Sequence, residues 1–192
     1  MACTALTKGR GLDCNRISGG IKNVYFGVYA QFSPLPVVAS GEVTDIEMGA
    51  NTLYRYTTPL GVASLSETIT GSRENGTIFY TPTITVILNR LTKEDQNQIK
   101  LLGQTKLIVF AELNATLTSG NNVIVALGVT NGMELNAGTE DSGAAFGDRS
   151  GYTLTFDGLE PIPFAFLEDY TTTPWDQSGF INEAGTFPTT GA

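Results

Sequence analysis

Side chains along most of this chain alternate between apolar and polar with a period of two, and that pattern restricts the fold to sheets. The segment Asn23 to Gln31 (NVYFGVYAQ) is rich in aromatic and β-branched residues and reads as a strand. Glu42 to Met48 and Thr52 to Thr58 follow, with Gly49-Ala50-Asn51 between them as a hairpin turn. Ser66 to Gly71 and Thr77 to Leu88 flank Asn75-Gly76, the strongest hairpin signal in the sequence. Pro82 inside the second run points to an edge position or a bulge, because it has no N–H to donate. Thr105 to Leu113 pairs with Asn122 to Thr130. Met133 to Gly138, Gly151 to Leu159 and Ile162 to Leu167 complete the strands, with a Gly-rich loop at Thr139 to Ser150.

One segment breaks the period. Thr92 to Leu102 (TKEDQNQIKLL) has an N-cap threonine, acids at Glu94 and Asp95 in its first turn, and Gly103 as a stop. Ile99 and Leu102, with Leu91 before the cap, form an apolar stripe too narrow for a bundle, so the helix is expected to lie on a sheet. The reading is an all-β sandwich or barrel with one flanking helix. It forms a single domain with an N-terminal arm over 1–22, a core over 23–168 and a C-terminal arm over 169–192.

Composition narrows the chemistry. The 192 residues include no histidine, which excludes a Ser-His-Asp triad, a Cys-His nucleophile pair and any His-ligated metal. Two cysteines, Cys3 and Cys14, cannot build a four-Cys zinc site, and the sequence leaves them either paired or free. The first residues contain no apolar stretch, which reads against a secretory leader, and no window is apolar enough to cross a bilayer. Net charge is −8 and unevenly placed: residues 1–22 carry +3 and residues 107–192 carry −10. An acidic body does not wrap nucleic acid, which requires clustered Lys and Arg.

Carboxylates are therefore the only plentiful catalytic groups. Glu140, Asp141, Asp148, Asp157, Glu160, Glu168 and Asp169 are the candidates for a glycosidase pair, but spacing alone does not set two of them across a cleft. Glu140, Asp141 and Asp148 also offer oxygens to calcium, though without EF-hand spacing, and Asp-assisted turns account for them more simply. Gly9-Arg10-Gly11 is not a phosphate-binding loop. No enzymatic activity and no cofactor are expected. The C-terminal segment places Tyr170, Trp175, Phe180 and Phe187 every five to seven residues in polar sequence, a spacing suited to single aromatic anchors between subunits.

The segments SETITGSRENGTIFYTPTITVILNRLTKEDQNQIKLL, TKLIVFAELN and GDRSGYTLTFDGLEPIPFAFL, within Glu67 to Leu167, resemble the tail tube proteins of tailed bacteriophages. The resemblance implies a virion structural protein, made in the host cytoplasm, whose hexameric rings stack into a hollow tube that DNA crosses. Its partners would be copies of itself and other tail proteins, with no membrane. Acids lining such a channel would repel phosphate from the wall. Asp45, Glu47 and Glu67 are the expected lumen-facing positions, and the N-terminal segment with Phe32 to Gly41 the expected stacking contacts. A tail terminator, a connector, a capsid decoration protein and a carbohydrate-binding module are the alternatives.

Overall fold

The computed structural model describes residues 9–11, 18–46 and 51–167. Eleven strands and one helix make up the described residues: β1 (Ile21–Val28), β2 (Val37–Ala39), β3 (Glu42–Asp45), β4 (Tyr54–Thr57), β5 (Ser64–Ser72), β6 (Thr77–Asn89), α1 (Lys93–Leu102), β7 (Leu107–Thr116), β8 (Asn122–Leu127), β9 (Glu134–Asp141), β10 (Gly151–Asp157) and β11 (Ala165–Leu167). They form two sheets. Seven strands run in the order β2-β3-β11-β8-β7-β1-β4, and four in the order β5-β6-β10-β9. The chain is thus mainly β with one helix, and neither sheet closes into a barrel.

The sheets face each other across a shared core. Phe26 of β1 stacks edge-on against Tyr56 of β4, centroids 5.1 Å apart, and lies 4.9 Å from Phe156 of the opposite sheet. Ile84, Val86, Tyr152 and Leu154 complete the layer from the four-stranded side. A second cluster fills the other face of the seven-stranded sheet, where Phe32, Ile46 and Leu53 from connecting segments cover Tyr25, Ile108 and Phe110. This double cover explains why Leu107 to Ala111 reads as a continuous apolar run: both sides of β7 are buried.

Several expectations change. The segments around Glu42 and Thr52 do not form a hairpin. β3 pairs with β2 and, in parallel, with β11, while β4 pairs with β1 at the far edge of the same sheet. The first strand starts at Ile21, inside the span assigned to the N-terminal arm, and stops at Val28, where a 3-10 turn over Tyr29–Gln31 follows. β9 extends to Asp141, so the loop expected from Thr139 begins after that residue. Gly103 ends the helix in right-handed geometry at φ −70°, with no need of glycine's freedom. The C-terminal arm, Cys3 and Cys14 lie outside the described residues.

Other readings stand. Thr92 Oγ1 accepts from the Asp95 N–H at 3.0 Å and donates to the Asp95 carboxylate at 2.6 Å. Ile99 and Leu102 pack against the core between the sheets. Gly76 closes the β5–β6 hairpin at φ +64°, a conformation that favours glycine. Pro82 departs from its reading as an edge or bulge residue: β6 lies inside the sheet, between β5 and β10, with no register shift at Pro82, which falls one residue beyond Thr83, where the pairing with β10 ends.

Candidate functional site

The outward face of the four-stranded sheet is the most distinctive surface. Because β6 is core-facing at Ile84 and Val86, the intervening Thr81, Thr83 and Thr85 point outward. Directly across β5 stand Thr68, Ser66 and Ser64 in register, and across β10 stands Thr155, whose hydroxyl lies 3.4 Å from that of Thr85. Thr153 and Thr139 continue the rows onto β9, and the opposed acids Asp157 and Glu134 end them. Asn136, the extra residue of a β-bulge in β9, donates to Asp157 at 2.7 Å. Arg149 reaches Thr153 at 2.8 Å from the adjoining loop. The result is a wall of hydroxyls with acids at one end. Like charges placed opposite each other in a ladder oppose pairing, and the Asn136 amide offsets part of that cost at Asp157.

Among the described residues, neither edge of this sheet has a further strand paired to it. β5 is nine residues long with no Lys, Pro or bulge, its one charge being Glu67, and a cleft of about 580 Å³ lined by Ala63, Leu65, Leu113 and Phe164 runs beside it. β9 is eight residues long and exposed apart from Leu135, and it carries Glu134, Glu140 and Asp141.

Of the expected lumen positions, Glu67 lies on β5 but shares its parity with Leu65 and not with the outward threonines. Its carboxylate accepts the Phe164 N–H at 2.8 Å. Its pKa is raised, first by burial and then by the charge of Glu160, against the lowering effect of that N–H. Asp45 lies on β3, in the seven-stranded sheet, so it and Glu67 share neither a strand nor a sheet. Glu47, Tyr170, Trp175, Phe180 and Phe187 lie outside the described residues.

The remaining carboxylates hold backbone. Asp148 accepts from the Ala144 and Ala145 N–H groups, which pull its pKa down, and Asp141 accepts from Gly143. These are the Asp-assisted turns read in the sequence. Glu160, buried, receives the N–H groups of Thr130 and Asn131 at 3.1 and 2.8 Å and ties the β10–β11 connection to the turn after β8. Glu112, equally buried, accepts from Asn23 at 2.7 Å and Tyr25 at 3.0 Å, and pairs with Lys22 at 3.1 Å. Lys22 reaches it because it is the extra residue of a bulge between Ile21 and Asn23. Sequence reasoning passed over this network, since a single Glu in an apolar strand carries no motif. Among the described residues no three acidic or thiol side chains gather as a metal site, and no helix is long and apolar enough to cross a membrane.

No family model, curated protein or solved structure matches the chain.

Proposed function

We propose that this chain is a non-enzymatic structural subunit whose copies form stacked rings, hexameric by the resemblance noted above, around a channel for DNA in a phage tail. One observation carries the reading. The four strands β5-β6-β10-β9 alternate in direction, and neither outer strand has a further partner among the described residues. β9 therefore runs opposite to β5, and a copy placed alongside by rotation sets β9 against a neighbour's β5 as an ordinary antiparallel pair. The sheet then continues from copy to copy without a break, and closure removes its edges.

The size agrees with a channel. Six four-stranded sheets give twenty-four strands; at about 4.8 Å each, untilted, opposite walls stand about 37 Å apart, and tilt widens this. The outward face, with its threonines and with Asp157 and Glu134, would form the wall. Hydroxyls solvate a passing polyanion while the acids repel its phosphates, so nothing binds it tightly. The acids on β9 also discourage β9–β9 pairing while accepting the serines and threonines of β5.

Negative-stain electron microscopy of the untagged protein over a concentration series tests this reading. Hollow filaments are expected. Discrete rings that never elongate would move the assignment to a terminator or connector. A monomer at every concentration would overturn it, and glycan binding would then be the next assay.

A further inference from the structure

Two exposed apolar groups lie past the same end of the four-stranded sheet, one at each edge. The strand registers fix this. Ser64 of β5 stands opposite Thr85 of β6, Thr85 opposite Thr155 of β10, and Thr155 opposite Ala137 of β9, so Ser64 and Ala137 mark one level across all four strands. β5 begins at that level, after a turn over 60–62. β9 runs on past it to Asp141, where the loop 142–150 begins. Phe146 in the loop is fully exposed and Leu60 in the turn is 81% exposed, the two most exposed large apolar side chains among the described residues. Val62, in the same turn as Leu60, is also exposed.

Single apolar side chains are common on protein surfaces. These two are set apart by their placement, and Phe146 also by how its loop is held. Asp148 accepts the N–H groups of Ala144 and Ala145 at 3.0 and 2.6 Å, its own N–H donates to the Ala145 carbonyl at 3.0 Å, and Asp141 accepts from Gly143 at 2.9 Å. Arg149 ties the far side of the loop to β10 through the Tyr152 carbonyl at 3.2 Å and the Thr153 hydroxyl at 2.8 Å. A ring presented on a turn already braced in this way loses little further freedom on docking. At the other edge, Leu60 and Val62 lead into Ala63, which lines the cleft beside β5 together with Ile21 and Leu113.

Within one molecule the two edges do not meet, because three strand spacings, about 14 Å, separate β5 from β9. A second copy removes that distance. When β9 of one copy pairs with β5 of the next in the unstaggered register, Ala137 falls beside Ser64. The loop that follows Asp141 then falls beside the turn that precedes Ser64. We infer that Phe146 of one copy seats on Leu60 and Val62 of the next, at the entrance to the cleft beside β5. The inference rests on the β9–β5 pairing proposed above and adds its register; it needs neither a hexamer nor a hollow channel. The occupant is a second copy because one sheet carries both halves of the contact, at opposite edges and past the same end. Loop and turn are different patches, so the contact is head-to-tail. A slip of two residues along the ladder would carry Phe146 about 7 Å away, so this contact selects one register among those that backbone hydrogen bonds alone allow.

A cysteine pair reads the contact directly. Phe146→Cys and Leu60→Cys are combined with Cys3→Ser and Cys14→Ser; both new positions are exposed, so neither substitution empties the core. Mild oxidation of the double variant should give a ladder of cross-linked multimers on a denaturing gel, while each single variant stays a monomer. A bridge within one molecule is out of reach, since disulfide-linked Cα atoms lie within about 7 Å. Phe146→Asp in the parent chain should weaken association about thirtyfold, the loss typical of an interface anchor, and leave the urea midpoint of the unassembled protein unchanged. Hollow filaments without a ladder would refute this contact and leave the tube standing. A ladder without hollow filaments would do the reverse, and monomers throughout would overturn both. Dimers from either single variant would show like-to-like pairing and refute the contact, as would a Phe146→Asp chain that associates as tightly as the parent.

Discussion

The Glu112 network offers the sharpest test of how the seven-stranded sheet is held. Glu112→Ala removes the acceptor shared by Asn23 and Tyr25 and the partner of Lys22. The three losses are unequal. Half of the Lys22 side chain is exposed and it also bonds Asn122 at 2.9 Å, so its ion pair is worth under about 1 kcal/mol. Asn23 and Tyr25 are buried, and each donor deprived of this acceptor costs about 1–3 kcal/mol. The sum is about 4 kcal/mol, which for a chain of this length lowers Tm by about 8–16 °C. Glu112→Gln keeps the shape and an acceptor oxygen, and should cost about 1–2 kcal/mol. Urea unfolding of the unassembled protein, followed by circular dichroism, measures both. A double-mutant cycle with Asn23→Ala should return about 1–3 kcal/mol of coupling. If Glu112→Ala and Glu112→Gln cost the same, or the coupling is nil, the carboxylate does not organise these strands and the reasoning fails.

Gly151→Ala would place a Cβ 2.0 Å from the Leu88 carbonyl oxygen in the neighbouring strand, so β6 and β10 must separate at that end; a loss of at least about 2 kcal/mol is expected in the same unfolding assay. Glu67 should leave a pH signature. Its raised pKa means the folded chain holds the proton more tightly than the unfolded chain, so its contribution declines as pH rises from 4.5, the ordinary value, through the raised one. The stability of Glu67→Gln relative to the parent should therefore climb over that interval, and a flat difference from pH 4 to 7 would contradict the assignment.

What could be read from the sequence depended on how local each signal was. The β5–β6 hairpin and α1 were legible because Asn75-Gly76 and Thr92 with Asp95 act over three or four residues. The supposed pairing of β3 with β4 failed for the opposite reason. Both strands had the right alternation, but their partners, β11 and β1, lie far away in sequence, and no local residue records that choice. The outward threonines were visible in TPTITVIL as every second residue, though their alignment with Thr153 and Thr155 needed the register. The alternation of Glu67 with apolar neighbours is local and legible, whereas the reach of its carboxylate to Phe164 spans 97 residues and leaves no local trace.

The roof that Phe32, Ile46 and Leu53 place over the second face of the seven-stranded sheet has a consequence for timing. A subunit that covers both sides of its largest sheet with its own chain needs no neighbour in order to fold. Under the assembly proposed above, folding and incorporation would then be separable events, and the length of what the copies build would be governed by when and where growth begins.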